Sequence, residues 1–129
     1  MKAASVDVRR TVRGAIPRLP LERMARAVLG ERYTLSVVLC GDDLARRMNT
    51  AYRKKTYAPN VLSFPLAPDE GEIFLNVRKA AREAGRYDAT FPAHVAHLFV
   101  HGCFHLKGLR HGRTMESAEK RVLARFGFR

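Results

Sequence analysis

The segment His101-Gly102-Cys103-Phe104-His105-Leu106-Lys107-Gly108-Leu109-Arg110-His111 carries three histidines on a predicted helix and the turn that follows it. His101 and His105 are four residues apart, so on a helix they share a face, with Cβ atoms roughly 5–6 Å apart. Gly108 is a typical helix-ending residue, and the turn that it begins allows His111 to return to the same point. Three neutral imidazoles leave a divalent cation one open coordination position, as in catalytic rather than structural metal sites.

Two more histidines precede this segment. A lone histidine in an apolar helix is more often a packed core residue than a ligand, and this interpretation fits His94. It fits the trio His101, His105 and His111 poorly, because burying three imidazoles without a common partner costs desolvation at each one. His97 precedes His101 by one helical turn and is predicted to lie on the same face. We expect His97 to support the metal site or to pack beneath it rather than to bind the ion directly, and as an imidazole it is also a candidate proton acceptor in catalysis.

The spacing of the three histidines equals that of the metal ligands in metzincin proteases, including a glycine before the third histidine. In those enzymes a glutamate follows the first histidine and acts as the general base. Here that position is Gly102, which cannot take a proton. A hydrolase built on this site would depend on the cation to acidify its bound water, toward a pKa of ~7.

Hydrophobic periodicity outside this segment predicts a sheet packed with helices. Strands are expected near residues 3–9, at Tyr33–Cys40, at Asn60–Phe64 with Pro65 ending the strand, and at Glu72–Val77 after a loop over 67–71. Helices are expected at 21–29, from Asp42 or Asp43 to about Tyr52, at 78–84, at Phe91–Lys107 and at about Thr114–Phe126. This order predicts one α+β domain over residues 1–129, with a small mixed four-stranded sheet, about five helices, and the metal site on the central helix and the turn after it.

The net charge indicates a polyanionic partner. Twenty-four Lys and Arg against twelve Asp and Glu give a net charge of +12 and a pI near 10.7. Eighteen of the cations are arginines, whose planar guanidinium suits phosphate. An excess of this size on a chain of 129 residues favours nucleic acid as the partner.

The remaining composition predicts a protein of the cytoplasm. No apolar run approaches the ~18–20 residues that a membrane span needs, and residues 1–7 lack the apolar stretch of a secretory signal. Cys40 and Cys103 each lie in an apolar segment and are expected to pack as reduced thiols rather than form a disulfide, which fits a reducing compartment.

Three motifs occur in a fixed order along the chain. They are Met48-Asn49 with Tyr52-Arg53 and Asn60-Val61-Leu62-Ser63-Phe64-Pro65, then Gly71-Glu72-Ile73, then His101-Gly102, His105-Leu106, Gly108 and His111. Glu83-Ala84 before the long helix and the closing helix from Glu119 to Gly127 fit the same order. In this combination, over roughly residues 30–128, the chain resembles the YbeY family of bacterial endoribonucleases, also called rRNA maturation factors.

The resemblance implies a metal-dependent endoribonuclease specific for single-stranded RNA, acting in 16S rRNA 3′-end maturation and ribosome quality control. It implies one Zn²⁺, with other divalent transition metals as alternatives, held by His101, His105 and His111, and it implies rRNA of the small ribosomal subunit as the partner. Arg53 maps onto a motif arginine that faces the same cleft and holds phosphate. A guanidinium there can grip the scissile phosphodiester and stabilise the added charge of the transition state. Metal-bound water and a metal-activated ribose 2′-hydroxyl stay open as the nucleophile.

Two positions depart from the family pattern. Leu109-Arg110 stands where the family has Tyr-Asp, and a cation near Zn²⁺ is repulsive by roughly several kcal/mol at short range when both are poorly solvated. We therefore expect Arg110 to point outward, toward RNA phosphate. The stretch Lys54-Lys55-Thr56-Tyr57-Ala58-Pro59 replaces the family's Gly-x-Asp-x-Pro-Thr and adds cations beside the cleft. The predicted RNA-binding groove is rimmed by Arg53, Lys54, Lys55, Lys107 and Arg110.

Two other classes of function stay open at this point. One is a ribosome-associated RNA-binding factor with a structural metal and little catalysis, which the replacement of the family's aspartate by Arg110 favours. The other is a metal-dependent hydrolase with a non-RNA substrate, which the protease-like histidine spacing allows and the charge balance opposes.

Overall fold

The computed structural model describes residues 4–128, and within them the chain forms four strands and five helices. In chain order these are β1 (Val6–Arg10), α1 (Leu21–Leu29), β2 (Thr34–Cys40), α2 (Asp42–Arg53), β3 (Val61–Ala67), β4 (Glu70–Asn76), α3 (Val77–Ala84), α4 (Phe91–Leu106) and α5 (Arg113–Arg125). The predicted α+β fold with a small mixed four-stranded sheet and about five helices is confirmed.

The four strands form one mixed sheet in the order β1-β2-β4-β3. Strand β2 is central because its run of β-branched and apolar residues suits burial on both faces, and it pairs in parallel with β1 and with β4. Strand β3 pairs antiparallel with β4 and occupies one edge of the sheet. This edge position places β3 beside α4, the helix that carries the histidines.

Helices cover the two faces of the sheet unequally. The larger core lies between the sheet and helices α1, α3, α4 and α5, and it includes Met24, Val37, Ile73, Phe99 and Met115. A smaller core lies on the other face, where α2 packs over β2, β3 and β4. Helix α4 therefore lies in the centre of the larger core, which holds its histidine-bearing face in a fixed position.

Helix α4 begins with a clear capping signal. The hydroxyl oxygen of Thr90 accepts a hydrogen bond from the N–H of Ala93 at 3.2 Å, and Pro92 occupies the first turn, where its missing N–H costs nothing. Nine residues of the helix are buried, which agrees with the predicted central position.

Three details of the predicted strands are wrong. Strand β4 ends at Asn76 instead of Val77, because the side chain of Asn76 accepts a hydrogen bond from the N–H of Lys79 and caps helix α3, which begins at Val77. Pro65 does not end β3, which continues to Ala67, because an edge strand has N–H groups that need no partner in the sheet. The predicted loop over 67–71 shrinks to a turn at Pro68 and Asp69, because Glu70 and Gly71 already belong to β4. The first strand begins at Val6, and the part of its prediction that falls on residue 3 lies outside the described residues.

Cys40 and Cys103 are buried free thiols, as predicted. Burial raises the pKa of both thiols, that of Cys40 to about 11, so both are protonated and unreactive at neutral pH. Within residues 4–128, every helix is too short or too polar to span a bilayer.

Candidate metal centre

The end of helix α4 turns the chain back onto itself. The N–H of Gly108 donates to the carbonyl oxygen of His105 and the N–H of Leu109 donates to that of Phe104, both at 3.0 Å. This hydrogen-bond pair is a Schellman motif, and its left-handed position is filled by Gly108 with φ of +99°. The turn brings the ring of His111 to 4.6 Å from the ring of His105, measured between centroids.

The three predicted ligands converge at one point. The Nε2 atoms of His101 and His105 are 3.0 Å apart, and one ring nitrogen from each of the three histidines lies within 4.8 Å of the others. His101 and His105 are partly buried, whereas His111 is exposed. The three histidines therefore lie close enough together to bind one ion, as their spacing in the sequence predicted.

Hydrogen bonds at the far side of two rings determine which nitrogen carries the proton. Nδ1 of His105 donates to the carbonyl oxygen of Leu109 at 3.2 Å, and Nδ1 of His101 donates to Oε2 of Glu119 at 2.6 Å. A carbonyl oxygen can only accept, so Nδ1 of His105 holds the proton and its Nε2 presents a lone pair. Burial, reinforced by the charge of nearby His101, lowers the pKa of His105 and favours this neutral form.

The donor set fits a divalent transition metal. With both rings protonated at Nδ1, the Nε2 lone pairs of His101 and His105 face each other at 3.0 Å, and the two atoms can share either a proton or a metal cation. Neutral imidazoles are preferred ligands of Zn²⁺ and of its neighbours in the first transition row, and the orientation of two rings by Leu109 and Glu119 is typical of metal-binding histidines. We conclude that His101, His105 and His111 are suited to hold one such ion.

Glu119 is a site residue that the sequence interpretation missed. Its side chain is only 7% exposed, and besides accepting from His101 it places Oε1 at 3.4 Å from Nε2 of His97. Glu119 shares the buried face of α5 with Met115 and Val122. A carboxylate in the middle of an apolar helical face rarely lies there without a partner, and that signal was present in the sequence.

The other two histidines of α4 lie outside the ligand group. His97 is half-exposed and contacts Glu119, with its ring centroid 6.3 Å from that of His101, so it sits beside the metal site as expected. His94 is buried, and its Nε2 lies 3.0 Å from Oε1 of Glu83, which also accepts from Asn60. Burial alone would raise the pKa of Glu83, but the bonds from His94 and Asn60 outweigh it and the pKa is lowered. His94 is thus a packed, hydrogen-bonded residue.

A cleft of about 640 Å³ opens in front of the three histidines. Its other walls are the C-terminal end of α2, the loop that follows it, the start of β3 and a lysine of α3. The lining residues include Arg53, Tyr57, Asn60, Ser63, Lys79 and His97. The structure therefore brings together the predicted arginine, His97 and the three metal ligands around one space.

The other predicted RNA-binding residues lie outside this lining. Lys54 and Lys55 follow Arg53 directly and are exposed, and Arg110 is exposed on the turn after α4, which agrees with the expectation that it points outward. Lys107 differs, because its ammonium donates to the carbonyl oxygen of Val28 near the end of α1 at 3.1 Å. Its charge is directed at helix α1.

Gly102 faces the sheet. A Cβ at this position would lie 3.0 Å from Oγ of Ser63 and 3.2 Å from a methyl carbon of Val61. Ser63 itself donates to the carbonyl oxygen of Gly102 at 2.9 Å, so its hydroxyl joins β3 to α4. A glutamate side chain at this position would begin against Ser63 and Val61 of strand β3, which would have to shift to make room for it.

The family of this chain follows from comparison with known proteins. The family model described as "Endoribonuclease YbeY" matches residues 5–127. The chain belongs to the YbeY family. The resemblance found in the three motifs is confirmed.

Individual YbeY relatives cover most of this chain. The Endoribonuclease YbeY of Aromatoleum aromaticum is 40% identical over 116 residues, which cover 84% of this chain and 75% of that protein. The Endoribonuclease YbeY of Pseudomonas putida is 35% identical over 139 residues, covering 95% of this chain and 88% of that protein. A solution structure from Thermotoga maritima aligns with a TM-score of 0.66 over 92% of this chain and 87% of that chain, and at 21% identity it shows the shared fold.

Proposed function

We propose that this chain is a metal-dependent endoribonuclease that cleaves single-stranded RNA. We further propose that it acts in the cytoplasm on rRNA of the small ribosomal subunit, in 16S 3′-end maturation and ribosome quality control. The observation that carries the proposal is the convergence of His101, His105 and His111 on a cleft that also contains Arg53. Membership of the YbeY family supports the same reaction class.

The chain's own residues have distinct proposed roles in phosphodiester cleavage. Arg53 holds the scissile phosphate and stabilises the charge that develops on its oxygens in the transition state. His97 lines the cleft and is the proposed acceptor for the proton released by the attacking oxygen, which belongs to water or to a ribose 2′-hydroxyl. Glu119 keeps the ring of His101 oriented through Nδ1.

The proposed metal is one Zn²⁺ ion or another divalent transition metal. When bound by the three histidines, it would supply Lewis-acid activation of the nucleophile and charge neutralisation at the phosphate. Lys54, Lys55 and Arg110 are proposed to attract the flanking RNA phosphates, which agrees with the net charge of +12.

Cleavage of labelled single-stranded RNA, with matched duplex RNA beside it, tests the proposal. Elemental analysis of the freshly purified protein should find close to one transition-metal ion per chain, and a chelator should abolish cleavage. His105→Ala should lose both the metal and cleavage. Arg53→Ala should keep the metal and lose about 100-fold or more in cleavage rate. The matched control is Arg47→Ala, on the same helix α2 and outside the cleft lining, which should behave as wild type.

The same assay separates the alternatives. Cleavage that survives both His105→Ala and Arg53→Ala would belong to a contaminating nuclease. Salt-dependent RNA binding with no cleavage in any metal form would favour the binding-factor function. A precursor 16S rRNA with an extended 3′ end should be shortened by the wild-type protein, and its persistence would restrict the proposal to a general endoribonuclease.

A further inference from the structure

An exposed aromatic ring lines the cleft without a role in the proposed chemistry. The ring belongs to Tyr57, which is 52% exposed and lies on the loop between α2 and β3. It shares the cleft with Arg53 and with the three metal ligands. An apolar surface of this size facing water within a cationic cleft is the combination by which proteins bind single-stranded nucleic acid.

Side-chain hydrogen bonds to three successive carbonyl oxygens hold the loop that carries Tyr57 in place. Nδ2 of the fully buried Asn49 donates to the carbonyl oxygen of Tyr57 at 3.0 Å. Nζ of Lys79 donates to that of Ala58 at 2.7 Å, and Nδ2 of the buried Asn76 donates to that of Pro59 at 3.1 Å. Because the backbone is fixed before any ligand arrives, the ring is presented at little further entropic cost.

A cation lies close to the ring. Nζ of Lys79 is 5.9 Å from the ring centroid of Tyr57, within cation–π range, and Lys79 also lines the cleft. Arg53 provides a second positive charge in the same space. An aromatic surface beside two cations matches one nucleotide, whose base is flat and whose phosphate is negative.

We propose that Tyr57 is a stacking platform for one nucleobase of the RNA strand, next to the phosphate held by Arg53. This inference rests on the proposed function and adds a binding site for a base to it. Stacking uses the π-face that every base has, so the site contributes affinity and positioning without selecting a sequence. It also favours single strands, because a base in a duplex already stacks on its neighbours.

Two other exposed tyrosines serve as matched controls. Tyr52 is 68% exposed and packs against Phe64, and Tyr87 is 66% exposed and packs against His94. Both lie outside the cleft lining. Their replacement removes the same exposed ring from the surface without touching the proposed platform.

The test is a binding cycle between the ring and the base. The full chain, as purified, is titrated with two fluorescent 2′-fluoro oligonucleotides of equal length, one with normal bases and one with abasic positions in its centre. Both carry the same phosphates, and a gel after each titration verifies that they stay intact. Affinity is measured by anisotropy for the wild type and for Tyr57→Ala, Tyr57→Phe, Tyr52→Ala and Tyr87→Ala.

We expect Tyr57→Ala to weaken binding of the base-containing strand by at least about five-fold and to leave the abasic strand unchanged. Tyr57→Phe keeps the ring and should bind both strands as wild type does, as should the two control variants. Equal losses on both strands, or no loss on either, would overturn the stacking platform while leaving the nuclease proposal intact. If the wild type binds neither strand at low salt, the proposed function itself fails.

Discussion

Nδ1 of His101 and Oε2 of Glu119 lie 2.6 Å apart, which makes their hydrogen bond a short, charge-assisted contact between helices α4 and α5. The carboxylate is almost completely buried, and its second oxygen faces His97 at 3.4 Å. The C-terminal helix therefore contributes to the metal centre although it supplies none of its three ligands.

Removing the charge of Glu119 should weaken metal binding. We expect Glu119→Gln to reduce affinity for Zn²⁺ or Co²⁺ by about 10–100-fold, because His101 loses the partner that fixes its ring and raises its basicity. Competition with a chromophoric chelator measures this directly and needs no RNA. Glu22→Gln, at an exposed position on helix α1, should leave the affinity unchanged. An unaltered affinity in Glu119→Gln would mean that the contact only joins the two helices.

The close approach of α4 to β3 predicts that any side chain at Gly102 destabilises the fold. In Gly102→Ala the new methyl group would press on Ser63 and Val61, a type of overpacking that costs about 1–3 kcal/mol. The higher helix propensity of alanine returns about 1 kcal/mol, so the free energy of unfolding in urea should fall by a net amount of about 1 kcal/mol.

Gly85 provides the control for this substitution. It has right-handed helical φ and ψ, and no atom lies within 4 Å of the Cβ that alanine would add. Gly85→Ala should therefore leave the free energy of unfolding unchanged or raise it by up to about 1 kcal/mol. A Gly102→Ala protein as stable as Gly85→Ala would show that β3 can move away from α4.

The carboxyl of Asp42 should account for part of the decrease in the free energy of unfolding at low pH. Hydrogen bonds from Arg82 and then from Asn76 hold the pKa of its carboxyl below the ordinary value. A group whose pKa is depressed on folding stabilises the protein above its unfolded pKa, and that stability is lost as the pH falls through the folded pKa. The wild type should thus lose stability between about pH 4 and the lower folded pKa, in addition to losses at other groups.

The substitution Asp42→Asn isolates the contribution of this carboxyl to stability. Asparagine keeps an oxygen that can accept from Arg82 and Asn76, but it does not titrate. The urea midpoint of Asp42→Asn, measured with chelator present, should be lower than that of the wild type at pH 6 and should fall less between pH 6 and pH 3. Asp43→Asn, whose parent side chain is fully exposed, should follow the wild type. An identical acid loss in Asp42→Asn would assign the sensitivity to other carboxyls.

The parts of the site that sequence predicted depend on local spacing. His101 and His105 share a helix face by their four-residue separation, and the turn that returns His111 is signalled by Gly108. These relations need no knowledge of how helices pack. Short runs of β-branched and apolar residues likewise located the strands, whereas the continuation of β3 through Pro65 required knowing that this strand is at an edge.

The parts that sequence did not predict depend on packing between distant elements. Glu119 meets His101 across the interface of α4 and α5, and the angle of that crossing is set by the whole core. Lys107 was assigned to the RNA groove from its neighbours in sequence. In the fold its ammonium instead donates a hydrogen bond to the carbonyl oxygen of Val28 in α1. Spacing along the chain was enough to predict that His101, His105 and His111 converge. It was not enough to predict where a flexible cationic side chain such as that of Lys107 points.

The salt dependence of RNA binding distinguishes the cations that contact phosphate from those that do not. Each phosphate contact with a single strand adds about 0.7 to the slope of log affinity against log salt. Lys55→Gln and Arg110→Gln should each reduce the slope by up to about that amount if their exposed side chains reach RNA, as we propose. Lys107→Gln should leave the slope unchanged, because its ammonium is bound to Val28. A reduced slope for Lys107→Gln would show that this hydrogen bond opens and that the groove extends to α1.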